Sequence, residues 1–435
     1  HTAYRRQRQM CIRDSFICAP SSFQWDLYPK HQKIVLFSTG TAAQDIHAGA
    51  AVIRTIKRRG MAISPAAWDL LTIALSAYAA DANVLRAHAP DGWTRQIQLT
   101  VAVQFPELWN SLATELSDCL GFLSTDIWEF SFVAGGTPAP VPRKIQDYPM
   151  DAAVLLSGGL DSLVGALDLA ASGQATVAVS KLVRGDKSRQ ERYARRFCRD
   201  HIVLNDSTHT PGRPEPSQRT RSIVFIAFGT LVATALNRYR HGQRSTLYLC
   251  ENGFIAINPS LTGLRRGSLS TRTAHPRFLG SLASLLEGAG IEVDIVNPYK
   301  HLTKGEMLSK CADQASLLQL ATDSTSCGRY HKYKYTHCGR CVPCQVRRAS
   351  ILAWGGMADN TRYVYPNLSI MNDEHAGFDD VRAVSMAIQA AKVDFCRWVG
   401  NALGSPSVPD RAALTNMLAR GVDELSRLHA HLGVR

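Results

Sequence analysis

Ala152-Ala153-Val154-Leu155-Leu156-Ser157-Gly158-Gly159-Leu160-Asp161-Ser162 is the stretch on which the fold turns. Five apolar residues run into paired glycines and out again into a helical pattern that lasts to Ala170. A short, wholly apolar run that ends in a turn suits a strand buried on both faces, as in a parallel sheet flanked by helices. Gly158 and Gly159 permit a tight turn and let the backbone approach an anion. The free N–H groups of the helix that follows point at that anion, and the helix dipole favours it. Ser157 and Ser162 add hydroxyl donors. Asp161 alone would repel phosphate, so its natural use is to hold Mg²⁺ bridged to phosphate oxygens. The Gly-Lys-Ser/Thr ending of a Walker A loop is absent. The plain alternative is a Gly-Gly turn that only opens a helix.

Around this stretch, residues 175–180, 202–204, 246–250 and 291–296 are further short apolar strands separated by helical patterns. They predict an α/β domain over 150–366 with a Rossmann-like parallel sheet. The apolar run 223–236 is broken by Gly229, Thr230 and Thr234 and is too short to span a membrane, so it reads as a buried helix. Upstream, Ile34-Val35-Leu36-Phe37 reads as a strand and 65–86 as a helix, with Ser64 as N-cap and Pro65 in the first turn. Strand patterns at 95–103 and 126–133 flank a helix at 106–120. Strand, helix, strand predicts an added α+β domain over 20–140, closed by the Gly- and Pro-rich linker 135–142. Residues 1–19 read as a non-native or disordered leader: the first fifteen show no structural period and resemble translated adapter sequence. Residues 378–432 predict a C-terminal extension of two helices, broken by Gly404, Pro406 and Pro409.

The 435 residues are 45% hydrophobic and 20% charged, which excludes a disordered chain. A net charge of +13 suits contact with phosphates, in nucleotides, RNA or DNA, or with an acidic partner protein. A generally basic surface with no such role fits equally. No secretory signal and no membrane span is visible. The eleven cysteines, mostly scattered, fit a reducing cytoplasm better than a disulfide framework.

Four of those cysteines form one group. Cys338-Gly339-Arg340-Cys341-Val342-Pro343-Cys344 spaces three thiols two residues apart, and Cys327 lies eleven positions upstream. Thiolates from a tight turn converge on one metal, and four of them close a tetrahedron around Zn²⁺ in a structural site. An iron–sulfur cluster is the rival occupant. His331 and His337 are candidates to replace one thiolate.

With the glycine loop and the cysteine group placed, the chain resembles the 7-cyano-7-deazaguanine synthase family of PP-loop ATP pyrophosphatases across about residues 150–356. The resemblance rests on Ser-Gly-Gly-Leu-Asp-Ser at 157–162, on Cys327 with Cys338-x₂-Cys341-x₂-Cys344-x₂-Arg347, and on Thr303-Lys304-Gly305-Glu306-Met307. It implies an adenine nucleotide alpha-hydrolase-like fold. It implies ATP cleaved to AMP and pyrophosphate, with Mg²⁺ as cofactor and Zn²⁺ as structural metal. A 7-carboxy-7-deazaguanine-type carboxylate would be adenylated, then converted to an amide or nitrile. Asp161 and Lys304 would be catalytic, and residues 157–162 would bind ATP. Glu251 at a strand end, Arg272 and Arg347 would meet the substrate. Glu251 reads equally as part of a Glu-Asn-Gly turn, and Arg347 as the partner of a structural carboxylate.

The family's acidic substrate segment is replaced by Ser270-Thr271-Arg272-Thr273, which leaves Glu251 as the candidate carboxylate for a guanine-like edge. The added N- and C-terminal blocks resemble the long synthase-like component of the four-gene Qat anti-phage defence systems. That likeness implies a protein partner from a defence operon, whose amine would be the acyl acceptor. The competing readings are a tRNA-modifying PP-loop enzyme and a catalytically silent scaffold in a defence complex.

Overall fold

A computed structural model describes residues 14–39, 44–183, 185–262, 272–370, 380–404 and 408–434. Ten strands form two sheets of five. The first contains β1 (Asp14–Pro20), β2 (Gln32–Leu36), β3 (Ile46–Ala48), β4 (Gln96–Ala102) and β5 (Ile127–Val133). Its order is β3-β2-β1-β4-β5, with every neighbouring pair parallel. The second contains β6 (Ala152–Leu155), β7 (Thr176–Lys181), β8 (Asp200–Leu204), β9 (Ser245–Tyr248) and β10 (Val293–Val296). Its order is β10-β9-β6-β7-β8, and it too is parallel. Counted within its own sheet, each set runs 3-2-1-4-5, the layout of doubly wound nucleotide-binding folds. In such sheets the chain reverses its direction of growth beside the first strand, and ligands bind at the strand C-termini there. The two reversal points lie between β1 and β4 and between β6 and β9.

The strands read from 150–296 all form, each shifted by no more than two residues at either end. The first block differs from its reading. It is parallel α/β, not α+β, because its central strand lies in the segment set aside as a leader. β1 starts at Asp14, and Phe16, Ile17, Cys18 and Ala19 are fully buried between β2 and β4. The patternless string before it hides a strand whose burial on both faces gives no alternation. Nor does the chain divide into consecutive blocks. One compact unit comprises residues up to 149 with 203–246 and 280–294; the other comprises 150–202, 247–279 and 295 onward.

In the first unit the helix Pro65–Asn83 starts as the sequence predicts, with the Ser64 hydroxyl accepting from the Ala67 N–H at 3.5 Å. It is apolar nearly all round and packs against the buried helix Arg221–Thr234. A buried ionic cluster joins this helix to β4 and β5. Asp126 accepts both Nη atoms of Arg86 at 2.9 Å and the Nη2 of Arg95 at 2.6 Å. Arg95 also pairs with Asp81, whose other oxygen accepts from the Arg219 N–H at 2.7 Å and from Thr220 N and Oγ1 at 2.8 Å.

The linker begins by filling the reversal point of the first sheet. A Cβ on Gly136 would stand 2.5 Å from Val103 Cα, after β4, and one on Gly135 would stand 3.1 Å from the Phe23 ring, after β1. Gln104 Oε1 then holds Ala139 N at 3.2 Å, and Trp68 Nε1 donates to Thr137 O at 2.8 Å.

In the second unit the C-terminal extension is three helices, not two: Asp380–Val393, Phe395–Leu403 and Arg411–His431. Asp394 ends the first and caps the second, accepting from the Arg397 N–H at 2.9 Å. Their apolar faces, with Trp398, Leu414, Met417, Leu418 and Leu425, bury against Val346 of the helix Val342–Trp354 and Phe254. No described helix is long and apolar enough to cross a membrane.

Removing one member of a buried ionic cluster strands its partners without water. Asp126→Asn should therefore lower unfolding free energy by about 3–5 kcal/mol in denaturant titration. Asp294→Asn, which breaks the exposed Arg244–Asp294 pair, should leave it nearly unchanged. Equal effects of the two would refute the burial argument.

Candidate functional site

The glycine loop lies at the second reversal point. β6 ends at Leu155, and Leu156 N still bonds Val179 O at 2.8 Å before the chain turns at Ser157. The Ser157 and Ser162 hydroxyls lie 2.8 Å apart, the Ser162 hydroxyl accepts from Ser157 N at 3.2 Å, and Gly159 N donates to Ser157 Oγ at 3.1 Å. Gly159 precedes the helix Leu160–Ala171, and no side chain caps the helix N-terminus. The amides of its first turn stay free for an anion. A Cβ at Gly158 would stand 2.8 Å from Asp186 Oδ1, so a larger residue there would have to displace the Asp186 side chain. Thr325 fixes the loop from the other side, its N–H donating to Gly158 O at 2.8 Å and its Oγ1 to Asp186 Oδ1 at 3.2 Å.

Asp161 stands in the first turn of that helix and gathers the neighbouring groups. One oxygen pairs with the Lys304 ammonium; the other accepts Asn252 Nδ2 at 2.8 Å and Asn252 N at 3.3 Å. Asp161 and Lys304 side chains are only 14% and 8% exposed, so the pair is largely shielded from water. Lys304 opens the helix Lys304–Ser309, held by a capping box of Thr303 and Glu306. Glu424, on the last helix of the chain, accepts from the Thr303 hydroxyl and from Gly305 N at 3.4 Å, while Arg420 grips Glu306 at 2.6 Å.

Glu251 follows β9. Asn297 Nδ2 donates to Glu251 O at 2.8 Å, so the turn is fixed by a side chain and not by the Glu-Asn-Gly sequence alone. Burial raises the Glu251 carboxyl to about 7; the charge of Asp161 adds to this and Lys304 opposes it. The structure thus brings Ser157, Gly158, Gly159, Ser162, Asp161, Lys304 and Glu251 to one strand-end crevice.

Arg347 is fully buried. Its guanidinium donates to Ala321 O at 2.6 Å, Ser324 Oγ at 2.8 Å, Thr361 Oγ1 at 3.1 Å and Ser324 O at 3.2 Å. It braces the segment that carries Thr325 to the glycine loop. Burial lowers the pKa of Arg272, with the charge of Arg277 adding to this. Ser270 and Thr271 of the same expected substrate segment lie outside the described residues. Asn252 and Glu424 were not singled out. Asn252 sits in the Glu251-Asn252-Gly253 turn, where it also caps the helix Gly253–Ile257, and that cap signal is legible. Glu424 carries no local signal, lying 119 positions from its Gly305 partner.

The four cysteines converge as their spacing predicts. Cys327, Cys338, Cys341 and Cys344 are buried, with all sulfurs within 4.8 Å of one another. Cys327 and Cys341 sulfurs are 3.9 Å apart, as are those of Cys338 and Cys344. Sulfurs at about 2.3 Å from a tetrahedral metal stand about 3.8 Å apart, so the donor set fits a metal ion such as zinc. Backbone N–H groups of Arg329 and Cys338 point at Cys327, and that of Cys341 at Cys338, each at 3.3 Å. These are donors suited to thiolates. Hydrogen bonding within the cluster, led by Cys327, pulls the Cys338 thiol down and pushes Cys344 up. Without a cation the four do not ionise together. The histidines stand aside: burial, with Arg347 nearby, lowers His337 to about 4, and its neutral ring accepts Ser326 N at 3.2 Å. His331 is exposed against Tyr335.

No family model, no curated protein and no solved structure matches the chain.

Cys341→Ser should lower bound metal from one ion per chain, read by elemental analysis, and lower the melting temperature with it. Full metal retention would exclude the four-thiolate site. Glu251 gives a pH test. Its folded pKa lies above that of an exposed carboxyl, so the folded state holds the extra proton and stability falls as pH rises from about 4.5 through about 7. Glu251→Gln should gain melting temperature relative to the parent over that window; a constant difference across it would contradict a raised carboxyl.

Proposed function

We propose that the chain is a PP-loop enzyme that cleaves ATP to AMP and pyrophosphate and adenylates a carboxylate of the 7-carboxy-7-deazaguanine type. The observation that carries this is the placement of Asp161 and Lys304 beside an uncapped helix N-terminus at the reversal point of a parallel sheet. A structural ion pair has no need of free amides or of a strand-end crevice.

The residues divide the work. Loop amides and the Ser157 and Ser162 hydroxyls bind phosphate oxygens. Asp161 would offer the carboxylate oxygens that Mg²⁺ takes, and Asn252 orients Asp161. When bound, Mg²⁺ neutralises charge on the phosphates. Lys304, released from Asp161, binds the departing pyrophosphate as a point charge. A carboxylate is a poor electrophile because oxide would have to leave. Its oxygen attacks the α-phosphorus, pyrophosphate departs, and the acyl-adenylate then loses AMP to an amine. Positioning and charge neutralisation carry most of the rate. Glu251 would accept from the N–H edge of a guanine-like ring.

The metal held by the four cysteines is proposed to be zinc. It locks the segment 325–338 against the glycine loop and takes no part in the chemistry, because a closed four-thiolate site keeps no open position. The acyl acceptor is proposed to be an amine on a partner protein of an anti-phage operon.

ATP incubated with the chain and Mg²⁺ should give AMP and pyrophosphate. Asp161→Asn should reduce that turnover by at least about a hundredfold with the melting temperature little changed. ADP and phosphate as products would sink the assignment. Intact mass spectrometry of an operon partner, incubated with ATP and the deazaguanine acid, should show the acyl adduct. An unmodified partner beside efficient nitrile formation from ammonia would return the reaction to ordinary nitrile synthesis.

A further inference from the structure

The helix Val52–Arg59 carries Arg54, Lys57 and Arg58 on one face, at the three- and four-residue spacing that places side chains side by side. Across from them run Arg143 and Lys144. All five cations are exposed and line one groove of about 800 Å³, with Phe37, Ala50, Ile53 and Val141 as its apolar lining. No acidic residue lines it, and none occurs in the chain between residues 46 and 60 or between 134 and 146. Elsewhere this protein mixes signs on its exposed helices, as in Lys187–Glu191 and Asp423–Arg427. A face of uniform sign, repelling itself, is what a polyanion site requires.

The groove is also built. The helix ends at Gly60 in a left-handed turn, φ 63°, and Gln146 N donates to Gly60 O at 2.9 Å. A Cβ at Gly60 would meet Lys144 O at 2.7 Å and Gln146 Cγ at 2.6 Å. Tyr148 Oη donates to Arg59 O at 2.7 Å. These contacts fix the spacing of the two cationic walls before any ligand arrives.

We propose that this groove binds the sugar-phosphate backbone of a polynucleotide. A single small anion is disfavoured, since Lys57 and Arg58 flank the negative end of the helix dipole. An extended chain crossing the helix face meets cations from both walls in succession. An acidic protein surface is a poorer fit, because protein interfaces centre on apolar and aromatic anchors with charge at the rim. Here five exposed cations line the groove, and Phe37, itself buried, is the one aromatic among its lining residues, beside Ala50, Ile53 and Val141.

The test uses the full chain and fluorescein-labelled mixed-sequence oligonucleotides of roughly 20 nucleotides, followed by anisotropy across a salt series. Five engaged cations on a single strand give a slope of log K against log salt approaching about −3.5. A triple variant, Arg54→Glu with Lys57→Glu and Arg58→Glu, should bind at least tenfold more weakly with a shallower slope. The pair Arg143→Gln and Lys144→Gln, on an irregular segment, should weaken binding in the same direction, so the proposal stays testable if the triple variant melts early. Unlabelled DNA or RNA, single- or double-stranded, competing in separate arms, identifies the natural backbone. Polyglutamate and inorganic phosphate should compete poorly. Unchanged binding in both variants would overturn the site, and polyglutamate competing as well as oligonucleotide would assign the groove to an acidic protein instead.

Discussion

A guanidinium with no carboxylate partner among the described residues ties together the glycine loop and the cysteine cluster. Arg347 is wholly buried, so every N–H it carries must find an oxygen in the protein. It finds them in the backbone and hydroxyls of 321–326 and in Thr361. That segment has no regular structure of its own. Pinned by Arg347, it delivers Thr325 to the glycine loop on one side and Cys327 to the thiolate cluster on the other. Arg347 itself lies one turn beyond Cys344 on a helix that begins just after Cys341. The cysteine cluster and the glycine loop are therefore set by one braced piece of chain.

The same economy extends to the C-terminal helices. Arg411–His431 reaches back to the start of the Lys304 helix through Glu424 and Arg420. Burial pushes the Glu424 carboxyl up, while the Thr303 hydroxyl bonded to it works in the other direction. This extension, which looks from the sequence like a simple addition, aims the lysine that meets Asp161.

What the sequence made legible was local. Ser157–Ser162 and the spaced cysteines announce themselves because their geometry is fixed within a few residues by turns and helix starts. The strands of the second sheet follow from apolar runs bounded by breakers. The first sheet was only half legible. Its central strand follows a patternless string and is buried on both faces, so Phe16–Ala19 offers no alternation, and β3 is too short to have a period. Long-range partners were illegible in principle: nothing near Arg347 foretells that its acceptors are backbone carbonyls some 25 positions upstream. A buried arginine after a metal knuckle looks the same in sequence as one that reaches for a substrate.

The two sheets share one layout but not one use. In the second, the glycine loop, Asp161 and Lys304 gather at the reversal point. In the first, Gly135 and Gly136 set the protein's own backbone there, against Phe23 and Val103. Segments of this composition usually serve as spacers, and their length drifts freely among relatives. This one cannot drift. Its glycines are spent as a stopper, so an inserted or deleted residue just after β5 would pull the plug out of register and unseat Thr137 from Trp68. Conformational slack, the ordinary virtue of a Gly- and Pro-rich stretch, is what this stretch has given up.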